Sequence, residues 1–274
     1  MNGTLEFVKM HGIGNDFVLI DGTGRSLSGI DLPELARRAC HRKFGIGADG
    51  LLLVWPSKRA EFRMQILNPD GSEAEMCGNG IRCFAKYLYD GMKEKKEVLS
   101  VETKAGIMVP AIIAENGVVK LVEVDMGPPK DEGEIILEGY TFKKISMGNP
   151  HAVTFVDDLA LVELDKLGPA IENNSHFPNR TNVEFVRVLE KNEIEVLVWE
   201  RGAGITLACG TGACASLAAA VLSGRTDRRA VVHLPGGNLD IEWQDSDGHL
   251  IMRGPAATVF EGKYYLPDTG KDKI

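Results

Sequence analysis

The hydrophobic and polar positions of the chain alternate or form short apolar runs over most of its length, which is typical of β-strands. In the first half, these runs lie at 5–9, 17–20, 51–55, 62–67, 98–103, 106–113 and 118–126. In the second half, they lie at 140–146, 152–156, 182–189, 194–199, 230–234, 239–243, 249–253 and 257–260, and residues 264–266 could add a short edge strand. The pattern therefore predicts a protein built mostly of strands.

Helical signals are confined to a few segments. Asp31 followed by Glu34 is a typical capping pair and predicts a helix through Ala39. Further helices are predicted at 81–89, 161–173 and 211–223, the second of them interrupted by Gly168-Pro169. Each of the other two follows a cysteine and a glycine-rich turn, so both helices are candidates for the functional part of the chain.

These two helices differ in polarity. The helix at 211–223 is apolar almost all round, so we expect it to be buried with strands wrapped about it. The helix at 81–89 carries Arg82 and Lys86, with Asp90 directly after it, which indicates that one of its sides reaches water.

The two halves of the chain repeat one another. A shift of 132 residues places Cys77 on Cys209, Gly78 on Gly210, Gly80 on Gly212 and Asn68 on Glu200. With small changes of register, Gly14-Asn15 falls on Gly148-Asn149 and Ala105-Gly106 on Gly236-Gly237. Because the three matches keep the same order, they indicate a duplicated unit.

The expected fold class is therefore α+β, with two pseudo-symmetric halves, each a mostly antiparallel or mixed sheet wrapped around a central helix. We assign residues 1–126, with Cys77, to the first half and 127–261, with Cys209, to the second, Gly127-Pro128-Pro129 being the linker. The tail, 262–274, is expected to rejoin the first half. A cleft between the halves, which both cysteines could face, is the expected active site.

Composition narrows the function classes. A net charge of −8 over 274 residues, with no basic tract, argues against nucleic acid or an anionic membrane surface as partner. The longest apolar run, 51–55, is too short to span a membrane, and charged residues interrupt the first twenty positions, unlike a signal peptide. Five cysteines, an odd number without compact disulfide spacing, favour the reducing cytoplasm.

Cys77 and Cys209 are the candidates for chemistry. At the start of a helix, a thiol meets backbone N–H groups and the positive end of the helix dipole, which favour the thiolate. Cys209 is therefore expected to have a low pKa. We interpret Cys40, Cys83 and Cys214 as small buried hydrophobes.

Other cysteine chemistries fit the sequence poorly. No C-x-x-C occurs, so neither a zinc site nor a thioredoxin-like redox pair is indicated. The lone G-x-G patterns at 45–50 lack the rest of a dinucleotide fingerprint, and no pyridoxal-phosphate lysine context stands out. We therefore expect no metal and no cofactor.

Two thiols facing one cleft suggest inversion of a carbon centre. One thiolate would remove a proton from the carbon, and the opposite thiol would deliver a proton to its other face. Negative charge would then develop on an adjacent carboxylate, where two helix N-termini could stabilise it.

Four ordered motifs resemble the diaminopimelate epimerase family. They are MHGIGNDF (10–17), NPDGSEAEMCGNGIRC (68–83), MGNPHAV (147–153) and WERGAGITLACGTGACA (199–215), and the resemblance runs from Met10 to about Gly254. It implies pyridoxal-phosphate-independent epimerisation of LL-2,6-diaminopimelate to the meso form, a step towards lysine and peptidoglycan precursors. Cys77 and Cys209 match the acid and base of the family.

The resemblance also implies roles for residues around the cysteines. The side chains implied to hold substrate are those of Asn15, Asn68, Asn149, Asn182, Glu200 and Arg201. The backbone implied to cradle the reacting carboxylate is that of Gly78, Asn79, Gly210 and Thr211. His151 and Glu200 are implied to tune the pKa values of the cysteines. Some members carry a substrate-contacting glutamine where this chain has Gly50, so that contact is absent or supplied otherwise.

The sequence leaves alternatives open. Proline racemases and hydroxyproline epimerases are similar in fold and cysteine pair, although the polar anchors Asn68, Asn182 and Arg201 suit a substrate with a second amino-acid end. The alternative outside the enzymes is a non-catalytic protein that uses its thiols for redox sensing or for binding. The sequence allows a homodimer but does not determine the oligomeric state. It also does not show which cysteine serves which substrate isomer.

Overall fold

A computed structural model describes residues 3–24, 27–92 and 95–266. The expected tail beyond Leu266 lies outside the described residues. The strands are β1 (Thr4–Gly12), β2 (Asn15–Asp21), β3 (Gly50–Pro56), β4 (Phe62–Leu67), β5 (Glu73–Ala74), β6 (Val101–Thr103), β7 (Gly106–Met108), β8 (Ala111–Glu115), β9 (Val118–Asp125), β10 (Lys130–Leu137), β11 (Tyr140–Ser146), β12 (Pro150–Phe155), β13 (Asn182–Glu190), β14 (Glu193–Glu200), β15 (Gly204–Ile205), β16 (Arg229–Leu234), β17 (Gly237–Trp243), β18 (Leu250–Gly254) and β19 (Ala257–Tyr265). The helices are α1 (Leu32–Cys40), α2 (Gly78–Gly91), α3 (Leu164–Glu172) and α4 (Gly210–Leu222), with a 3₁₀ turn at Leu159–Leu161. The structure is thus mostly sheet, as the sequence pattern predicts.

The chain divides into two compact units. The first comprises 1–12, 16–122 and 256–274, and the second comprises 13–15 and 123–255. The first unit ends at Val122, four residues before the boundary that the sequence suggests, because β9 crosses the division. Residues 256–261, assigned from sequence to the second half, belong to the first unit because β19 pairs with β1.

In the first unit, the sheet has the strand order β19-β1-β2-β3-β4-β6-β7, with β5 beside β4. One face of this sheet covers α1, and α2 packs against β1, β3 and β4. Helix α1 begins as predicted, because Asp31 accepts a hydrogen bond from the backbone N–H of Glu34 at 3.1 Å.

In the second unit, the order β10-β11-β12-β13-β14-β16-β17-β18 is followed by the end of β9, with β15 beside β14. Helix α4 contacts strands from β11 to β18 and is buried from Gly212 through Ala220. The expectation of a buried, strand-wrapped helix is therefore confirmed. Helix α3 covers another face of the sheet, on a core that includes Phe142 and Phe185.

Part of the strand order is repeated: β1-β2-β3-β4-β6-β7 of the first sheet corresponds to β11-β12-β13-β14-β16-β17 of the second. In each, the second and third strands of the repeat (β2 with β3, β12 with β13) run parallel. The strands on either side of the central helix in sequence (β4 with β6, β14 with β16) also run parallel. Even a single backbone bond recurs, from Ala105 N–H to Glu75 O at 3.2 Å and from Gly236 N–H to Leu207 O at 2.8 Å. The duplicated unit inferred from sequence is confirmed.

Two local predictions are wrong, and a third holds only in part. The helix side with Asp90 reaches water as predicted, but Arg82 is fully buried, and its guanidinium donates to Gly78 O at 3.1 Å. The pair Gly168-Pro169 lies inside α3 without interrupting it, and Gly168 leaves room for the ring of Trp199, which would lie 2.4 Å from a Cβ there. The single strand predicted at 106–113 is two strands, β7 and β8.

In the described parts of the chain, no helix is both long and apolar enough to cross a membrane.

Candidate active site

Cys77 and Cys209 each cap a central helix. Cys77 is the N-cap residue of α2, in an extended backbone conformation, and its Sγ accepts a hydrogen bond from Gly80 N–H at 3.4 Å. Cys209 caps α4 in the same way, with Gly212 N–H donating at 3.3 Å. The predicted placement of both thiols at helix starts is confirmed, and the first backbone N–H groups of each helix lie beside a thiol.

The sequence predicts a lowered pKa for Cys209, and this prediction is wrong. Burial raises the pKa of Cys209 well above its usual value, and the carboxyl groups of Glu200 and Glu184 raise it further. The hydrogen bonds from Thr211 and Gly212 N–H lower it by less. The helix start is therefore present, but desolvation and two nearby carboxyl groups outweigh it.

Cys40 and Cys83, two of the cysteines interpreted as buried hydrophobes, have the raised thiol pKa expected of a buried side chain. Burial raises the pKa of Cys40 and of Cys83 to about 12. Both thiols are therefore protonated at neutral pH. Cys214 is also buried, inside α4.

A chain of polar side chains lies behind Cys209. Glu184 Oε1 lies 2.7 Å from His151 Nδ1, and His151 Nε2 lies 3.2 Å from Asn149 Oδ1. Asn149 Nδ2 donates to Thr211 Oγ1 at 3.3 Å, and that hydroxyl lies 3.6 Å from Cys209 Sγ. The structure therefore brings the predicted residues Asn149, His151 and Thr211 together at the Cys209 turn.

Glu200 is close to the same thiol. Its carboxyl group accepts a hydrogen bond from Thr206 Oγ1 and is hydrogen-bonded to Cys209. Burial raises the pKa of Glu200, against the lowering effect of those two hydrogen bonds. This contact places Glu200 where the sequence expects a residue that tunes the cysteine.

Asn182 holds backbone around the turn that carries Arg201. Its Nδ2 donates to Pro150 O at 2.9 Å, and its Oδ1 accepts from Arg201 N–H at 2.9 Å. The guanidinium of Arg201 is exposed and donates to Asn179 O at 3.1 Å. Asn182 thus fixes the backbone from which Arg201 projects.

Asn15 belongs to the unit that contains Cys209. The turn before it has left-handed backbone at Ile13 (φ 47°) and Gly14 (φ 90°). The turn packs tightly: a Cβ on Gly14 would lie 2.9 Å from Leu207, and one on Gly236 only 2.0 Å from Ile13 O. Because Leu207 is two residues before Cys209, this packing ties Asn15 to the segment that leads into the cysteine. Gly148, before Asn149, has the same φ of 90°.

Near Cys77, the predicted polar residues lie in the first unit. Asn68 is in a turn, where its Nδ2 donates to Ser72 Oγ at 2.9 Å. Asn79 is buried in the first turn of α2. At Gly50, a Cβ would lie 3.3 Å from both Leu67 O and the ring of Phe17, so a glutamine there would need its neighbours to move.

Two buried glutamates of the second unit were missed from sequence. Glu184 lies between apolar Val183 and Phe185 in β13, and this apolar context was the available signal. Glu172, 4% exposed, accepts hydrogen bonds from Trp199 Nε1 at 2.7 Å and Gly202 N–H at 2.8 Å. It therefore braces the segment that holds Glu200 and Arg201.

Within residues 3–24, 27–92 and 95–266, no group of three or more His, Cys, Asp or Glu side chains is arranged to hold a metal ion.

Solved structures define the class of fold. The fold is similar to that of a hydroxyproline epimerase from Agrobacterium vitis, with a TM-score of 0.73 and 19% identity over 97% of this chain and 92% of that chain. It is also similar to a PhzF-family phenazine biosynthesis protein from Bacillus anthracis, with a TM-score of 0.72 and 18% identity over 96% and 100% of the two chains. At these identities, the similarity establishes the fold alone, a two-domain α+β fold of mostly sheet.

The chain belongs to the diaminopimelate epimerase family, whose model matches residues 7–131 and 144–259. A relative from Moorella thermoacetica named diaminopimelate epimerase is 52% identical over 279 residues, which cover 96% of this chain and 100% of that protein. Another of that name, from Methanococcus maripaludis, is 47% identical over 94% and 99% of the two chains.

Proposed function

We propose that this protein epimerises LL-2,6-diaminopimelate to the meso form, with Cys77 and Cys209 as acid and base and without a cofactor. The observation that supports the proposal most strongly is the repeated turn, in which each cysteine caps the central helix of its own unit. A family relationship over nearly the whole chain, with relatives of that name, supports the choice of substrate.

The proposed reaction moves one proton off the α-carbon and another onto it. One cysteine, as thiolate, takes the α-proton, and the other, as thiol, gives a proton to the opposite face, which inverts the centre. The pKa of Cys209 is raised, so this cysteine rests as a thiol and donates in the direction in which Cys77 is the base. The reverse direction exchanges the roles.

Charge that develops on the adjacent carboxylate needs hydrogen-bond donors that are already in place. The first backbone N–H groups of α2 and α4, at Gly78-Asn79 and Gly210-Thr211, are such donors, and the helix dipoles add to their effect. Each pair adjoins its own cysteine in sequence. The proposal assigns them to the carboxylate of the reacting centre.

The remaining polar residues are assigned to substrate binding. Arg201 is exposed and can form a two-pronged bond with a carboxylate. Asn15, Asn68, Asn149 and Asn182 supply neutral hydrogen bonds, and Glu200 suits a substrate ammonium group. A role in lysine and peptidoglycan precursor synthesis, and a cytoplasmic location, follow from this substrate.

The test is isotope exchange. Protein and LL-diaminopimelate are incubated in deuterium oxide with a thiol reductant, and the products are separated by stereochemistry. We expect meso-diaminopimelate with deuterium at one α-carbon, because the proton that is added comes from a thiol in exchange with solvent. L-Proline, run in parallel, should remain unlabelled. If proline is racemised and diaminopimelate is ignored, the protein is a proline racemase instead.

A further inference from the structure

Glu184 has no assigned role, and its surroundings are unfavourable for a carboxyl group. The side chain is fully buried, and Oε2 has no hydrogen-bond partner among the described residues. Burial raises the pKa of Glu184, against the lowering effect of His151. An unsatisfied buried oxygen lowers stability, so the packing of β13 alone does not account for a glutamate here.

The equivalent place in the first unit is apolar. The repeat aligns Glu184 with Leu52, and the two contact the helix start alike: Leu52 lies 3.4 Å from a Cβ built on Gly80, and Glu184 Oε1 lies 2.7 Å from one built on Gly212. His151 is replaced by Phe17, since Phe17 pairs with Gly50 as His151 pairs with Asn182. The fold therefore tolerates an apolar pair at these two positions, whereas the Cys209 turn carries a carboxyl–imidazole pair there.

The pair sets the direction of the hydrogen bonds that lead to Cys209. Both ring nitrogens of His151 face oxygen atoms, Glu184 Oε1 and Asn149 Oδ1, so Nε2 must carry a proton and one further proton lies between Nδ1 and Oε1. With Oδ1 of Asn149 accepting from the ring, its Nδ2 points at Thr211 Oγ1. The hydroxyl proton of Thr211 is then available to donate to Cys209 Sγ.

We propose that Glu184 is a positioning residue, which acts through His151, Asn149 and Thr211 to aim a hydrogen-bond donor at Cys209 Sγ. Without Glu184, the imidazole can rotate or take its other tautomer, and Asn149 can turn its amide so that Thr211 donates to Oδ1 instead of to sulfur. The catalytic part of this role rests on the proposed function, but the hydrogen-bond chain exists without substrate.

Charge and positioning have opposite effects on the thiol, which makes the proposal testable. The carboxyl groups of Glu184 and Glu200 both raise the pKa of Cys209. If Glu184 acted only by its charge, any neutral substitute would make Cys209 more reactive. If it acts by positioning, a substitute that cannot hold the imidazole makes Cys209 less reactive.

The experiment compares Glu184→Leu, which places the residue of the first unit, with Glu184→Gln, whose amide is neutral but can donate to His151 Nδ1. Iodoacetamide alkylation of Cys209 is measured relative to Cys77 in the same molecule by peptide mass spectrometry. We expect the ratio to fall by roughly tenfold in Glu184→Leu, the lower end for losing a residue that orients a functional group. Glu184→Gln should remain near wild type. A rise in the ratio, or equal behaviour of both variants, would overturn the proposal.

Controls separate this result from general effects. Thr154→Val changes another buried polar side chain of the same unit, whose hydroxyl donates to Thr141 O at 2.9 Å, and should leave the alkylation ratio unchanged. With diaminopimelate, Glu184→Leu should lower kcat while KM changes little, and adding His151→Phe should cause no further loss. A further, additive loss would show that Glu184 does not act through His151. If wild type ignores diaminopimelate but the alkylation pattern holds, the proposed function fails and the positioning role stands.

A measurement on the unaltered protein covers the case in which Glu184→Leu does not fold. In protein labelled with ¹⁵N-histidine, His151 should show a slowly exchanging ring N–H proton, identified by its loss in His151→Phe. The absence of such a proton in the wild-type protein would contradict the hydrogen-bond chain.

Discussion

At Cys209, opposing influences act on one thiol. The helix start and Thr211 lower its pKa, while burial and the carboxyl groups of Glu200 and Glu184 raise it by more. In the Cys77 turn, Gly80 faces apolar Leu52, where Gly212 of the Cys209 turn faces Glu184. The two cysteine turns of the repeat therefore have different surroundings.

Arg201 is the residue whose replacement tests substrate choice. Arg201→Met removes the donor assigned to a distal carboxylate, and the loss in kcat/KM for diaminopimelate should correspond to about 1.5–3 kcal/mol, the range for hydrogen bonds to charged groups. A buried pair would cost more, but this guanidinium is exposed.

The matched control is Arg187→Met, because Arg187 is an exposed arginine of the same unit and pairs with Glu195 at 3.3 Å. Its kcat/KM should stay near wild type, since exposed pairs contribute little. Equal losses in the two variants would show that Arg201 has no specific role in binding.

At the scale of single elements, the first turn of each central helix is packed differently against its sheet. Gly80 has ordinary contacts, the nearest being 3.4 Å from a built Cβ. Gly212 has Glu184 Oε1 at 2.7 Å and Cys209 Sγ at 3.2 Å from the same point. The polar pair behind Cys209 therefore makes the second turn the less tolerant of the two.

The matched pair Gly80→Ala and Gly212→Ala measures this difference. Gly212→Ala should lower the free energy of unfolding by about 1–3 kcal/mol, as overpacking does. Gly80→Ala should change it by less than about 1 kcal/mol, because the helix propensity of alanine offsets the closer contact. Urea denaturation of both variants checks the prediction, and similar losses at the two glycines would contradict it.

Elements that follow an apolar pattern could be predicted from sequence, and those without one could not. The strand β4 matches the predicted 62–67 because its residues Met64, Ile66 and Leu67 are buried. The strand β10 was missed because it carries charges on both faces and buries only Leu137. Because β10 is an edge strand of its sheet, solvent-facing charges are tolerated there. These charges leave no alternation of hydrophobic and polar residues that could predict a strand.

At the scale of the whole molecule, the duplication was visible in sequence because the glycine-flanked turns recur. What the sequence could not show is which distant residues meet. His151 and Glu184 are 33 positions apart and come together only because β12 and β13 pair in parallel. Arg82 was misplaced for a similar reason, since its burial depends on its contacts with Gly78 O and on the absence of a side chain at Gly12.

The claim that both units contribute one thiol each to the same reaction is tested most directly by removing each thiol in turn. Epimerisation of LL-diaminopimelate is measured in deuterium oxide for wild type, Cys77→Ala, Cys209→Ala and Cys83→Ala, the last a fully buried thiol inside α2. We predict that Cys77→Ala and Cys209→Ala each form no meso product, while Cys83→Ala keeps turnover near wild type. Wild-type turnover in either Cys77→Ala or Cys209→Ala would contradict the two-thiol account.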